Sequence, residues 1–176
     1  MKNFALQLKK IIADASSAIY PRSIYCNICE SLIDETRSYG LCDDCAQTLI
    51  WCRDNTCTKC GKKLGDEWLL PYCATCKERP MLFDKGYACT SYNLYSKQMV
   101  FALKFKGKTY MADPIANAMC DKLILEDALN YDYIVPVPIS KSRLSERGYN
   151  QCLLIARELS KKMDIPTLDC LNRFKN

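Results

Sequence analysis

"CNICESLIDETRSYGLCDDC", residues 26–45, is followed 31 positions later by "CTKCGKKLGDEWLLPYCATC", residues 57–76. Both stretches read C-x2-C-x12-C-x2-C, so the first half of the chain is a duplicated unit. Two cysteines three apart on a tight turn aim both sulfurs at one point. Two such turns set four thiolates at the corners of a tetrahedron, the closed geometry of structural zinc. Gly61, directly after Cys60, suits the backbone bend of such a turn, and "DEWLL" suits a short strand between the turns. The reading is two zinc ribbons, each with one Zn²⁺. Its ligands are Cys26, Cys29, Cys42, Cys45, Cys57, Cys60, Cys73 and Cys76. Sequential sets are the simplest grouping, and an interleaved cross-brace is the alternative. Four cysteines leave no open position for catalysis, so these ions would hold up segments too small for a core of their own.

The rest of the composition narrows the field. The chain has 176 residues, 49% of them hydrophobic, enough for one medium domain or two small ones. Thirteen cysteines with no histidine and no export signal argue against a disulfide framework, and no mechanism can use an imidazole base. A net charge of +5 permits an anionic partner without requiring one. In residues 1–20, Phe4, Leu8, Ile11, Ile12, Ala15 and Ile19 recur at helical spacing, which predicts an amphipathic helix. No integral membrane segment is legible, so the expected location is the cytoplasm, with a peripheral position at the inner face of the membrane as a variant. Trp51, Lys62, Lys63, Trp68 and Tyr72 suit a base-stacking, phosphate-contacting face on the ribbons, or else the tryptophans pack beneath them.

After a linker the pattern changes to α/β. "YACTSYNL" reads as a strand. "SKQMVFALKFKG" reads as a helix stopped by Gly107, with Lys97, Lys104, Lys106 and Lys108 facing solvent or an anion. "DPIANAMCDKLILEDAL" reads as a helix capped by Asp113 with Pro114 at its first position. "YDYIVPVPI" reads as a buried strand, "YNQCLLIARELSKKM" as a helix, and "DIPTLDCLNRF" as the approach to another strand. This order predicts a βαβ unit with a parallel sheet. The stretch "VPVPISKSRLSERGYNQ", residues 135–151, then forms the loop at the carboxyl end of a parallel strand, where open α/β sheets bind ligands. Lys141, Arg143 and Arg147 supply charge there, and Gly148 allows close backbone approach. The chemistry suits a phosphate or pyrophosphate, or a solvated basic loop partnered by Glu146. Asn150 and Gln151 suit capping and positioning of the following helix.

"VPVPISKSRLSERGYNQCLLIARELSKKM" resembles the signature of the ComF family, competence-associated proteins with a phosphoribosyltransferase-like domain. The eight ribbon cysteines resemble that family's double zinc ribbon, and "FALKFKGK" resembles its segment after the first strand. The resemblance runs from about Tyr20 to Leu171. It implies a double zinc ribbon over residues 21–80, then a type I phosphoribosyltransferase-like parallel-sheet domain over residues 81–176. It implies that the loop matching Pro138–Gly148 faces the pyrophosphate of phosphoribosyl pyrophosphate, with Mg²⁺ between. It implies assistance to single-stranded DNA uptake in natural transformation, beside a helicase-like competence protein. The family's apolar strand followed by an acidic pair and Thr-Thr-Gly does not occur in these residues. Glu126-Asp127 in "LILEDAL" has no Thr-Gly after it and precedes the basic stretch. The expectation is an incomplete domain, truncated at its C-terminal side, holding the pyrophosphate half of a site. A non-enzymatic zinc-ribbon adaptor for nucleic acid or protein, or an inactive fragment, is the competing expectation.

Overall fold

The computed structural model describes residues 24–34, 36–79 and 81–174; the helix expected over residues 1–20 lies outside them. Six α-helices occur among the described residues: α1 (Asp43–Thr48), α2 (Ala74–Glu78), α3 (Leu94–Phe105), α4 (Ala112–Leu125), α5 (Lys141–Arg147) and α6 (Gln151–Met163).

The 31-residue repeat of the sequence is a repeat of structure. The antiparallel bridge Tyr25–Leu32 of the first ribbon recurs as Thr56–Lys63 in the second. The hydrogen bond from Asn27 N–H to Gly40 O (2.8 Å) recurs from Thr58 N–H to Pro71 O (2.9 Å). Each second C-x-x-C opens a one-turn helix, α1 after Cys42 and α2 after Cys73. "DEWLL" is not a strand. Trp68 N–H closes a turn onto Gly65 O at 3.0 Å, and Leu69 stands 95% exposed. Only the first turn of each ribbon is braced by a backbone bridge.

The two ribbons differ in what lies beneath them. The first shares its core with α3: Cys26, Leu41, Cys45, Leu49 and Met99 are buried together, with Trp51 and Tyr95 against them. The second buries only Cys57, Leu64 and Cys73, two of them metal-type ligands. Its connection to the rest runs through a close approach of backbones. Gly61 has φ +72°, and a Cβ there would lie 2.6 Å from both Ala88 N and Gly86 O. Glu30, the counterpart of Gly61 in the first ribbon, takes the same left-handed conformation at φ 62°.

The second half is helical. α3 starts at Leu94, earlier than the pattern suggested, because Asn93 and Ser96 form a reciprocal capping box. It buries Met99, Ala102 and Leu103 and leaves Phe105 outside the core. α4 starts at Ala112, so Asp113 is a first-turn residue and not the cap. Its carboxylate accepts from Lys162 of α6 at 2.8 Å. α6 is the most amphipathic of these helices in its sequence and is capped by Asn150, whose Oδ1 accepts from Cys152 N–H at 3.0 Å. α4 packs along α6, and a second core of Ala102, Leu103 and Met111 receives Tyr149, Leu154 and Ile155.

The expected parallel sheet is not formed among the described residues. What exists is one parallel bridge, Ile134–Thr167, closed by Ile134 N–H to Pro166 O (2.9 Å) and Leu168 N–H to Ile134 O (3.0 Å). Pro136 and Pro138 remove two donors that would lengthen the ladder. "YDYIVPVPI" is extended but not buried, since Tyr133, Val135 and Val137 alternate outward and are exposed. "YACTSYNL" likewise contributes a single bridge, Thr90 to Trp51.

Candidate metal centres and basic segment

Each ribbon gathers its own four cysteines. The sulfurs of Cys26, Cys29, Cys42 and Cys45 lie within 4.8 Å of one another, as do those of Cys57, Cys60, Cys73 and Cys76. The sequential grouping is therefore the observed one, and the cross-brace is excluded. A tetrahedral ion with Zn–S bonds of about 2.3 Å sets its sulfurs about 3.8 Å apart. The separations Cys29–Cys42 (3.6 Å) and Cys60–Cys73 (3.8 Å) match that figure. Backbone donors already point at the cluster. Cys42 N–H lies 3.4 Å from Cys26 Sγ, and Cys73 N–H lies 3.3 Å from Cys57 Sγ. Such donors favour thiolate, the form that ligates.

The thiols of each cluster are split by their surroundings. The Ser31 hydroxyl and backbone hold Cys29 down to about 6. Burial opposes ionisation of Cys57, but the N–H groups of Cys73, Cys60 and Lys59 outweigh it and bring that thiol to about 6. Burial pushes Cys45 well up and raises Cys76 to about 12, with the neighbouring sulfurs adding to both. Four sulfurs packed this closely cannot all carry charge without a cation. The donor set, the spacing and the backbone N–H groups that point at the sulfurs fit Zn²⁺ at both centres.

The basic stretch is a helix and not a loop. Lys141, Arg143 and Arg147 all lie on α5, which ends where Gly148 turns left-handed at φ 79° and its N–H bonds Leu144 O at 2.8 Å. Nothing lies within 4 Å of where a Gly148 Cβ would stand, so conformation and not space requires glycine there. Lys141 and Arg143 are exposed, with no acidic partner among the described residues. Arg147 is half-buried and engaged. Its guanidinium lies over the Phe105 ring at 4.8 Å, and its Nη1 donates to Gln151 Oε1 at 3.0 Å. Glu146 forms no ion pair with these cations. The pattern that marks α5 was legible: Ser140 and Gly148 bracket it as start and stop signals.

Other expected site residues separate. Trp51 stacks on Tyr39 with ring centroids 5.0 Å apart and donates to Ala46 O at 3.1 Å, so it belongs to the first ribbon's core. Trp68 stays partly exposed and donates to Tyr72 O at 3.0 Å, while Lys63 donates to Asp54 O at 2.7 Å. The five ribbon residues do not make one stacking face. Lys108 pairs with Glu30 and Lys104 lines a cleft beside α5; Lys97 and Lys106 are simply exposed. Sequence reasoning missed Lys122. Its side chain is 5% exposed, and its Nζ donates to Cys52 O (2.6 Å) and Glu126 Oε1 (2.7 Å), tying α4 to the ribbon module. Only its i,i+4 spacing to Glu126 marks it in the sequence.

A double zinc ribbon domain model matches residues 15–77. "Competence protein F" of Haemophilus influenzae is 26% identical over 136 residues, 74% of this chain and 57% of that protein. "DNA utilization protein YhgH" of Salmonella typhi is 26% identical over 126 residues, 69% of this chain and 54% of that protein. "Competence protein ComFC" of Bacillus subtilis is 23% identical over 131 residues, 73% of this chain and 55% of that protein. The chain thus spans about half the length of the curated relatives it matches. No solved structure matches it. No helix among the described residues is long and apolar enough to cross a membrane.

Proposed function

We propose that this relative of the ComF-type competence proteins assists the handling of single-stranded DNA during natural transformation. The observation that carries the reading is the set of relatives: two are named competence proteins and one a DNA utilization protein, and each aligns over about 70% of this chain or more. The zinc ribbons are its scaffold. The working segment is α5 with its approach, residues 138–148, which would face the pyrophosphate of phosphoribosyl pyrophosphate in a phosphoribosyltransferase-like domain. Mg²⁺ would arrive with the phosphates, the usual way this ion is held. The parallel bridge Ile134–Thr167, joined through α5 and α6, supports a βαβ unit as the seed of that domain. A helicase-like competence protein is the partner the reading implies.

The cations divide by role in this reading. Lys141 and Arg143 are free to meet an anion, whereas Arg147 holds α5 against α3 and α6. Gly148 closes α5 and sets the direction of the chain beyond it.

Disruption of the gene in a naturally transformable host is expected to lower transformation frequency and the entry of single-stranded DNA. A normal frequency overturns the reading. For the ligand, Arg143→Gln is the informative variant because Arg143 is exposed. It is expected to weaken phosphoribosyl pyrophosphate binding at least tenfold by calorimetry, the order of loss for a charge-assisted contact. Equal affinity removes α5 from the site.

The alternative is a zinc-ribbon adaptor that needs no sugar-phosphate ligand. It is favoured by the exposed Trp68, Leu69, Leu70 and Tyr72 of the second ribbon. Such a cluster suits contact with a partner protein.

A further inference from the structure

Between α3 and the α5–α6 corner lies a cleft of about 380 Å³, lined by Tyr92, Phe101, Lys104, Phe105, Arg143 and Arg147. Three rings and three cations meet there, against one acid, Glu146. The rings are uncommonly open for their size: Tyr92 is 75% exposed, Phe101 43% and Phe105 57%. Phe101 and Phe105 stand one helical turn apart with centroids 4.8 Å apart and planes tilted by 41°. Arg147 covers Phe105 and is held by Gln151, and its Nε is buried without a hydrogen-bond partner. Phe101 and Tyr92 therefore keep free ring area. Lys104 and Arg143 carry the charge that no acid among the described residues neutralises.

Free ring area beside unpaired cations is the pairing by which proteins hold unpaired nucleobases and their phosphates. A duplex hides its base faces, so only a single strand or a free nucleotide can use the rings. The cleft volume lies near the lower end of small-ligand sites, about 300–1,000 Å³, which suits one nucleotide unit. We propose that this cleft binds one nucleotide of a single-stranded nucleic acid, its base against Phe101 and Tyr92 and its phosphate against Lys104 and Arg143. The proposal deepens the DNA-handling reading and rests on it. It places the strand on α3 and α5, away from the second ribbon.

The test uses the full zinc-loaded chain and a short oligothymidylate carrying one 5-iododeoxyuridine. Irradiation cross-links this base to a ring in contact with it. Peptide mapping is expected to find the adduct on Tyr92 or Phe101. In parallel, Phe101→Ala is expected to weaken binding about tenfold or more, the usual loss for one stacked base. Phe101 is exposed enough for the variant to keep its fold. Lys104→Gln is expected to reduce the salt slope of binding by about 0.7, one phosphate contact on a single strand. Thymidine monophosphate is expected to compete only weakly. Adducts confined to Trp68 and Tyr72 overturn the cleft and leave the DNA-handling reading standing. So does unchanged affinity in Phe101→Ala. Binding of the monophosphate without the oligomer overturns the single-strand claim, and a chain that binds neither removes both proposals.

Discussion

Two glycines test the backbone requirement from different sides. Gly61 and Gly148 both have left-handed φ, at +72° and +79°. Only Gly61 also faces backbone at 2.6 Å, from Gly86 and Ala88. Gly148→Ala is expected to cost about 1 kcal/mol, the conformational penalty alone. Gly61→Ala is expected to cost at least about 2 kcal/mol, because residues 86–88 must also move. Urea unfolding of the two variants checks the order. Equal losses would mean that the packing of the second ribbon on residues 86–88 contributes nothing. Glu126 makes a further residue-level case. Hydrogen bonds from Lys122 and then Lys85 hold its carboxyl below the ordinary 4.5. A depressed carboxylate contributes stability that is fully present above that ordinary value and is lost as pH falls below it. Wild type is therefore expected to lose more stability than Glu126→Gln between pH 6 and pH 3, with the thiolate contribution common to both. Parallel pH profiles of the urea midpoint would show that the Lys122–Glu126–Lys85 cluster contributes nothing.

At the scale of elements the two ribbons share a sequence pattern but not a foundation. The first rests on Leu41, Leu49 and Met99; the second has Leu64 and its own ligands. Removing zinc with a chelator is expected to open the second ribbon first, because apolar burial cannot replace the ion there. Limited proteolysis after chelation should cut within residues 57–79 well before residues 26–49; simultaneous cutting would show that the core shared with α3 gives no protection. How much of this was legible depends on the physics involved. The ligand sets follow from local spacing, and the repeat carries through to single hydrogen bonds. α3, α4 and α6 follow from apolar periodicity. The difference between the ribbons was not legible, because Met99 reaches the first ribbon from another element. α5 carries the charges of a ligand loop, and in the sequence only Ser140 and Gly148 at its ends mark it as a helix. Lys122 was invisible because burial of a cation depends on Cys52, which lies 70 residues away in sequence.

At the scale of the whole molecule, the described residues leave an apolar face open along the extended segment. Tyr133, Val135 and Val137 point outward from the extended segment, and Leu168 and Leu171 beyond the parallel bridge are exposed as well. Residues 133–139, Tyr-Ile-Val-Pro-Val-Pro-Ile, form an unbroken apolar run, which marks a strand covered on both faces, the pattern of parallel sheets. Here the ladder stops at one bridge, so the N–H and C=O groups flanking Ile134 and Thr167 add an open edge to an open face. Such an edge pairs with other chains unless a charge intervenes. The chain as it stands is therefore expected to associate with rising concentration in sedimentation velocity runs. Val137→Lys is expected to suppress that association while leaving zinc content and helicity unchanged, since Val137 is 66% exposed. Association that persists in Val137→Lys but disappears in Leu69→Lys would move the sticky surface to the second ribbon. The edge would then be protected by its two prolines, which remove the donors a docking strand needs.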